Sequence, residues 1–389
     1  MSLFRVNTIT DIITAMSKLK SLAYPHLQRI KYSKLIGMFE KAKALPLEKN
    51  HIFMLATSKD KFGGNLRAVY EYIEKNSLPY TVTVCTKENM PSEREVAEEL
   101  AVSEFIMVDD YEPMVYPLKL REGQHLIQVW HALGAFKKFG YARKTAEKNS
   151  LTHKNYTEAI VSSPELISVY AESFGISEDR VIPVGAPRTD LFFNEEYKAQ
   201  AAERLYSRAE GLRGKKVVLF APTFRGNNVN DGYYPAEYFS VSELMSALPE
   251  DYALIIKLHP FIKNKIEIPE ELKNRAFDFS DEREINDILL ITDVLITDYS
   301  SVIYENAVIG GACVHYVPDL DEYTKDRGFY YDYSAYVCGE VINDKAKLAE
   351  AVINANADNE KMNEFKKRFV SLCDGKSSER FVKMILEDR

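Results

Sequence analysis

The chain has 389 residues, of which 46% are hydrophobic and 28% charged; this is the composition of a globular protein and enough for two domains. Four scattered cysteines form no zinc motif or disulfide framework, no apolar run approaches the roughly 18 to 20 residues that cross a bilayer, and we expect no cleavable signal peptide. The net charge of −8 is uneven, because residues 1–45 carry +6 and the rest −14, and the acidic remainder argues against nucleic acid as a partner.

The N-terminal segment, residues 1–45, is basic and has apolar residues at helical intervals on both sides of Pro25. This pattern predicts an amphipathic helical segment. Two interpretations remain open: the segment contacts an anionic membrane surface, or it packs on the first domain and leaves a basic face in solvent.

From residue 51, short apolar runs alternate with helical stretches. Strands are predicted at 51–57, 80–85, 104–110, 125–130, 158–163 and 180–185, and helices at 65–76, 92–103 and 164–174. Continuous β-branched runs separated by helices indicate a parallel sheet that is covered on both faces.

A polar helical stretch, 194–216, interrupts this alternation and is interpreted as a connection between domains. Further strands are predicted at 216–222, 252–259, 276–280, 294–300 and 312–317, and helices at about 345–355 and at 359–389 with a break at DGKSS. We therefore predict an α/β fold with two tandem Rossmann-like, doubly wound domains that face a cleft. The predicted bounds are 46–200 for the first domain, 201–375 for the second and 376–389 for a C-terminal helix.

Polar motifs follow five of the predicted strands. They are QVWHALGAFKKFG (128–140), VGAPRTD (184–190), APTFRGN (221–227), KLHPFI (257–262) and TDYSSVIYE (297–305). Since ligands of doubly wound sheets bind beyond the carboxyl ends of the strands, these motifs are the candidate site.

Ser300 and Ser301 stand where a helix is predicted to begin, and helix N-termini attract anions. A plain serine N-cap is the alternative. Arg225 and His259 at neighbouring strand ends favour the anion site, and together these groups predict a positively charged pocket suited to a pyrophosphate.

His131 ends a predicted strand and is followed by Gly134, so it lies on a loop that can approach a substrate closely. A histidine at a strand end in a cleft is a good general base near neutral pH. Three other histidines lack such a context and are interpreted as structural: His125, His153 and His315.

A metal is not required by any of these patterns. Asp109, Asp110, Asp319 and Asp321 offer carboxylates to a divalent cation, but turns rich in aspartate are common at protein surfaces. The sequence therefore indicates no metal and no other cofactor.

The five motifs in this order, the last extended to ITDYSSVIYENAVIGG (296–311), resemble the CDP-glycerol:glycerophosphotransferases of wall teichoic acid synthesis. That family includes the CDP-ribitol ribitolphosphotransferases, and the resemblance covers about residues 50–380. It implies an architecture similar to GT-B glycosyltransferases, with the nucleotide donor on the C-terminal domain. It also implies transfer of a polyol phosphate from a CDP-polyol to an undecaprenyl-diphosphate-linked saccharide, with release of CMP, by a peripheral protein at the cytoplasmic face of the membrane.

The resemblance also implies roles for single residues. His131 matches the family's histidine after tryptophan and is expected to be the base on the acceptor hydroxyl, and His259 matches the His-Pro histidine expected at the donor pyrophosphate. The other donor-binding residues are expected to be Thr223, Arg225, Asp298, Ser300, Ser301 and Glu305. Arg188, after Gly-x-Pro, is assigned to phosphate, and Lys137 and Lys138 are expected either to meet acceptor phosphates or to form a solvated basic turn.

The chain departs from the family at one motif, because many polymerases have WHGTPLK where this chain has WHALGAFKKFG. TFRGN and DRGFYYDY (326–333) are also more similar to the primase and ribitol-type branches. The polyol, and whether one unit or many are added, stay open. A GT-B glycosyltransferase using a sugar nucleotide and a non-catalytic lipid-surface protein are the alternatives, and the five polar strand ends argue against the second.

Overall fold

The computed structural model describes residues 23–57, 62–144, 146–226, 231–282 and 284–387. The chain forms two compact units, each with one six-stranded parallel sheet. The first contains the residues up to His131, Phe139–Ile160 and Ile167–Ile182, and the second contains Ala132–Lys138, Val161–Leu166 and the residues from Pro183 onward.

The strands of the first sheet are β1 (Glu48–Ala56), β2 (Thr81–Thr86), β3 (Ser103–Val108), β4 (His125–Gln128), β5 (Glu158–Val161) and β6 (Val181–Pro183). Those of the second are β7 (Lys216–Phe220), β8 (Tyr252–Ile256), β9 (Ala276–Asp278), β10 (Val294–Thr297), β11 (Ala312–Tyr316) and β12 (Glu340–Ile342).

The helices of the first unit are α1 (Ser33–Ala42), α2 (Gly64–Lys75), α3 (Glu93–Val102) and α4 (Ile167–Phe174). The second unit has α5 (Glu195–Arg208), α6 (Val241–Ala247), α7 (Ile285–Leu289), α8 (Val302–Ile309), α9 (Leu320–Arg327), α10 (Tyr333–Tyr336), α11 (Leu348–Asn354), α12 (Glu360–Phe369) and α13 (Ser377–Phe381).

The strand orders confirm the prediction of two doubly wound sheets. The first sheet has the order β2-β1-β3-β4-β5-β6, and the second has β12-β11-β10-β7-β8-β9. The direction of winding therefore changes between β1 and β3 in the first sheet and between β7 and β10 in the second. Ligands of such sheets bind beyond the carboxyl ends of the strands at these positions.

The sheets form where the sequence has unbroken apolar runs. Residues 51–56 of β1 and all five residues of β8 are buried, as expected for strands with helices on both faces. At α3, Ser92 and Glu95 form a reciprocal capping box, which explains why that helix begins at Glu93.

The units divide after Ile182, whereas the predicted boundary lay after residue 200. The polar stretch interpreted as a connection is helix α5, which is tied to α7 of the second unit. Its Tyr197 donates to the Asp287 carboxylate at 2.5 Å, and Arg204 pairs with the same carboxylate at 2.6 Å. These contacts attach α5 to the second unit.

The N-terminal segment has two different parts. In α1, Leu35 and Phe39 are buried and Lys34 pairs with Glu93, so this part packs on the first unit. In the helical stretch 23–31, Leu27 and Ile30 are 57% and 67% exposed. Residues 1–22, to which part of the membrane prediction applies, lie outside the described residues. Among the described helices none is long and apolar enough to span a membrane.

Candidate active site

In the second unit, three charged side chains meet where the winding of the sheet changes. Arg225 follows β7, Asp298 follows β10, and Asp319 follows β11. The guanidinium bonds the Asp298 carboxylate through Nη1 at 2.9 Å and the Asp319 carboxylate through Nε and Nη2 at 2.6 and 2.9 Å. All three side chains are buried, with at most 9% exposed. They form a closed network that fixes the ends of three strands.

This network corrects the predicted charge of the pocket. Burial disfavours the charged guanidinium, but Asp298 and then Asp319 outweigh that effect and raise the pKa of Arg225. The positive charge of Arg225 is thus offset by two carboxylates, and the expectation that it makes the pocket strongly positive was wrong. Sequence reasoning treated Asp319 only as a candidate for a cation and missed this partner, because Asp319 is far from Arg225 in the chain.

Thr223 is part of the same strand-end structure. Its amide N–H donates to the Asp298 carboxylate at 2.7 Å, and its carbonyl accepts from Arg225 at 2.7 Å. Its hydroxyl oxygen is buried and has no hydrogen-bond partner among the described residues. Since buried hydroxyls are nearly always bonded, this one suits a contact with a ligand.

His259 lies beyond β8, between the rings of Phe224 and Phe261. Its Nδ1 accepts from the Phe261 N–H at 3.2 Å. Burial, and then the charges of Lys137 and Lys257, lower the pKa of His259 to about 4. The ring is therefore neutral near pH 7 with its proton on Nε2, so Nε2 is a hydrogen-bond donor.

Positive charge near His259 comes from lysines. Lys257 is 7% exposed at the end of β8 and donates to the Ser280 carbonyl at 3.1 Å. Lys137 donates to the Tyr323 hydroxyl at 3.2 Å, and its ammonium lies 5.7 Å from the centre of that ring. Lys257 was overlooked in the sequence, although it stands in the KLHPFI motif.

Ser300 and Ser301 precede α8, as predicted, and both are half-buried. The Ser300 hydroxyl accepts from the Val302 N–H at 3.3 Å, whereas Ser301 makes no side-chain cap. The hydroxyl hydrogens and the N-terminal amides of α8 suit an anion.

Arg188 and Glu305 form an ion pair within the second unit. Their side chains are 18% and 6% exposed. The pair joins the loop after β6 to the first turns of α8. Arg188 was assigned to phosphate and Glu305 to the donor, and the structure brings these two predicted residues together with opposite charges that offset each other.

A cavity of about 470 Å³ lies at the carboxyl ends of β11 and β12. Its lining includes Pro318, Asp319 and Asn343 from these strand ends, and Tyr238. The volume is in the range of small-molecule sites. Through Asp319 the cavity adjoins the Arg225 network.

In the first unit, His131 lies beyond β4 next to the end of β3. Its Nδ1 is 3.2 Å from the Asp109 carbonyl oxygen and 3.6 Å from the Asp110 carboxylate. A carbonyl oxygen only accepts hydrogen bonds, so Nδ1 carries the proton and Nε2 is the basic nitrogen. The side chain is 39% exposed, so a substrate has access to the ring.

The backbone before His131 is sharply turned. Strand β4 ends at Gln128, two residues earlier than predicted, and Trp130 has a φ of 50°, a left-handed value that is rare for a bulky residue. The Asn65 side chain donates to the carbonyls of Val129 and Trp130 at 2.8 and 2.9 Å. These two hydrogen bonds stabilise the turn. They were not predicted, because Asn65 belongs to α2.

The loop after His131, residues 132–138, belongs to the second unit. A Cβ on Gly134 would lie 2.0 Å from the Tyr304 ring, so the glycine is needed for packing against α8. Phe136 packs on Phe329, Tyr333 and Tyr336.

The two lysines of this loop are half-buried. Lys137 and Lys138 lie over the rings of Tyr323 and Tyr330. A contact with acceptor phosphates and a solvated basic turn both stay predictions.

Comparisons with known proteins place the chain in one group. The family model described as CDP-Glycerol:Poly(glycerophosphate) glycerophosphotransferase matches residues 38–387. A teichoic acid poly(ribitol-phosphate) polymerase of Bacillus spizizenii is 38% identical over 354 residues, which are 88% of this chain and 57% of that protein. The teichoic acid ribitol-phosphate polymerase TarK of Staphylococcus aureus is 38% identical over 362 residues, 89% of this chain and 70% of that protein. The chain thus spans little more than half of the first relative.

Among solved structures, the wall teichoic acid polymerase TagF is similar to this chain with a TM-score of 0.76. The similarity covers 96% of this chain and 98% of the TagF chain, at 21% sequence identity. At this identity the likeness concerns the fold.

Proposed function

Because the chain belongs to the CDP-glycerol:poly(glycerophosphate) glycerophosphotransferase family, we propose that it transfers a polyol phosphate from a CDP-polyol to a hydroxyl of a lipid-linked teichoic acid acceptor. The observation that carries the proposal is the proton arrangement at two strand ends. His131 has its basic nitrogen at Nε2, and His259 has a donor at Nε2. Phosphoryl transfer needs one group of each kind: a base for the attacking hydroxyl and a donor for the phosphate oxygens.

In the proposed reaction, His131 Nε2 takes the proton of the acceptor hydroxyl. The hydroxyl oxygen bonds to the β-phosphorus of the CDP-polyol, and the bond from that phosphorus to the bridging oxygen breaks, so that CMP leaves. The Asp109 carbonyl and the Asp110 carboxylate near Nδ1 stabilise the imidazolium that forms. This arrangement is analogous to the orienting carboxylate of hydrolytic triads.

The donor phosphates are assigned to the second unit. His259 Nε2, the hydroxyls of Ser300 and Ser301 and the N-terminus of α8 supply hydrogen bonds, while Lys137 and Lys257 supply positive charge. Negative charge increases on the bridging oxygen as CMP leaves, and fixed donors stabilise it best. Arg225 acts by fixing the strand ends.

The nucleoside is assigned to the cavity at the ends of β11 and β12. Its volume of about 470 Å³ accommodates a nucleoside, and carboxylates in its lining, such as Asp321, can accept hydrogen bonds from ribose hydroxyls. We propose ribitol as the polyol, because both relatives at 38% identity are named ribitol-phosphate polymerases.

The test is a comparison of donors. The full chain is incubated with CDP-ribitol, CDP-glycerol or UDP-sugars and a lipid-linked saccharide acceptor, and the nucleotide released and the product mass are measured. We expect CMP and an acceptor heavier by a polyol phosphate, with His131→Ala as the matched inactive variant. Release of UDP with a sugar added, or equal CMP release by His131→Ala, would refute the proposal.

We also propose that residues 23–31 contact an anionic membrane surface. Leu27 and Ile30 are exposed on a helical stretch that also carries Arg29 and Lys31. Each cation near an anionic surface contributes about 1 kcal/mol, and the apolar side chains add burial. Deletion of residues 1–45 would also remove the packed helix α1, so point variants are a better test of this contact.

The vesicle test uses the double variant Leu27→Ser, Ile30→Ser. It should bind anionic vesicles at least several-fold more weakly than the native chain. Ile353→Ser in the second unit, where Ile353 is 47% exposed, is the matched control and should bind normally. Equal binding by all three proteins would exclude the 23–31 stretch as the contact.

A further inference from the structure

Three metal-ligating side chains that are not part of the strand-end motifs lie together in the second unit. Cys313 and His315 are two residues apart on β11, so both point to one face of the sheet. Ala312, Val314 and Tyr316 point to the opposite face, where they join the hydrophobic core. Cys338 reaches the same cluster from the residues just before β12, which pairs with β11.

The distances within this cluster match a tetrahedral metal site. His315 Nε2 is 3.4 Å from Cys313 Sγ and 3.8 Å from Cys338 Sγ, and all three atoms lie within 4.8 Å of one another. Zinc bonds of about 2.3 Å to sulfur and 2.0 Å to nitrogen, at tetrahedral angles, place a sulfur about 3.5 Å from the nitrogen. The three ligand atoms are therefore already spaced for one ion.

The proton on His315 is also in the position that ligation requires. The Tyr333 hydroxyl donates its single hydrogen to the Asp298 carbonyl at 2.7 Å. Its oxygen, 3.2 Å from His315 Nδ1, must therefore accept the Nδ1–H. The lone pair of Nε2 then points toward the two sulfurs. Histidines that bind metals are oriented in this way, by a hydrogen bond from the other ring nitrogen.

We propose that Cys313, His315 and Cys338 bind one Zn²⁺ ion. All three side chains are at most 4% exposed. Two thiolates balance the charge of a divalent ion, so the buried site is neutral, whereas a monovalent ion would leave a net charge in the core. The ion joins β11 to β12, and Tyr333 connects it to Asp298 in the Arg225 network.

The site was not predicted from the sequence because its ligands have no motif spacing. Cys313 and His315 read as an ordinary buried strand, and Cys338 follows after two helices. The pairing of β11 with β12 brings them together. This proposal does not depend on the catalytic roles proposed above.

The first test measures metal content. The full chain is purified in reductant without chelator and supplied with Zn²⁺. Inductively coupled plasma mass spectrometry should then detect about one zinc per chain. Cys313→Ser and Cys338→Ser should reduce this to background. Cys85→Ser and Cys373→Ser are matched controls, since both thiols are buried elsewhere, and should retain the ion.

The second test measures affinity and ligand type in folded protein. Tyr333→Phe should weaken zinc binding about 10- to 100-fold in a chelator competition, whereas Tyr316→Phe, which loses a similar hydrogen bond to the Tyr238 carbonyl, should not. Cobalt substituted into the native chain should show thiolate-to-cobalt charge-transfer absorption, which remains informative if a cysteine variant fails to fold. Absence of both zinc and this absorption, or full zinc content in Cys313→Ser, would overturn the proposal.

Discussion

His131 and His259 each lie just beyond the carboxyl end of a parallel strand, one in each unit, yet their rings hold the proton on opposite nitrogens. In the first unit, Nδ1 of His131 faces the Asp109 carbonyl and must donate. In the second unit, Nδ1 of His259 faces the Phe261 N–H and must accept. The first ring therefore presents a base at Nε2, and the second presents a donor.

The electrostatic surroundings also differ. His131 is 39% exposed and has the Asp110 carboxylate 3.6 Å from Nδ1. Burial and the charges of Lys137 and Lys257 lower the pKa of His259 to about 4 and keep it neutral. Two histidines at similar strand ends thus suit opposite tasks, and the neighbouring backbone group decides which. The following predictions test this contrast.

The largest effect is expected for His131→Ala. Turnover should fall by about 10²- to 10⁴-fold, the usual contribution of a positioned base. The dissociation constant for the CDP-polyol should be unchanged, because the proposed donor residues belong to the second unit. CMP release and calorimetry measure the two quantities. His125→Ala, at the other end of β4, is the control; loss of activity that parallels loss of thermal stability would make His131 structural.

Arg225→Ala should destabilise the second unit by about 3–5 kcal/mol, because it leaves Asp298 and Asp319 buried without a counter-charge. Urea unfolding measures this change. Arg213→Ala, which removes exposed pairs with Glu203 and Glu210, should change stability far less than Arg225→Ala, because solvent screens these pairs. Equal effects of the two variants would contradict the structural role assigned to Arg225.

His259→Ala and His259→Asn should both weaken binding of a CDP-polyol about 10-fold or more, the value of one hydrogen bond to a charged group. Asparagine can still accept from the Phe261 N–H, so the local fold is kept while the Nε2 donor is lost. Calorimetry measures the affinity. A normal affinity in His259→Asn would remove the donor role and end the contrast with His131.

Gly134→Ala tests the loop that leaves His131 and packs in the second unit. The added Cβ would lie 2.0 Å from the Tyr304 ring, and overpacking of this kind costs about 1–3 kcal/mol. The melting temperature should fall. Gly37→Ala in α1, where nothing lies within 4 Å of the new Cβ, should leave it unchanged or raise it.

The last effect appears only at acidic pH. The pKa of His259 is lowered from 6.5 to about 4, so between these values the unfolded chain binds a proton that the folded chain does not. Stability should therefore be complete above pH 6.5 and fall as the pH decreases toward 4. Urea unfolding across this range should show a steeper decline for the native chain than for His259→Asn; parallel curves would show that His259 titrates normally.

Much of the fold could be predicted because the βα pattern is local. The strand 51–57 and the helix 92–103 are recognisable from the alternation of apolar runs and helical stretches, and the structure has β1 and α3 there. β12 was missed, because its three residues are too short for a pattern. The stretch 194–216 was interpreted as a connection because it is polar; in the structure, Tyr197 and Arg204 of α5 bond to Asp287 of α7.

The sequence predicted the residue types of the candidate site, but not the interactions between these residues. The expectation that ligands bind beyond the carboxyl ends of the strands identified His131, His259 and Arg225 without knowledge of the sheet order. It could not show that Arg225 is neutralised by Asp298 and Asp319, since these partners follow other strands.

By itself, the sequence determined the alternation of strands and helices, the two doubly wound sheets and the polar residues at the strand ends, because these depend on periodicity along the chain. Only the tertiary structure decided which nitrogen of each histidine holds the proton, which charges offset each other, and that Cys338 lies beside Cys313 and His315. These properties depend on a neighbour brought in by strand pairing or by a loop, at distances of about 3 to 4 Å over which hydrogen bonds and ion pairs act.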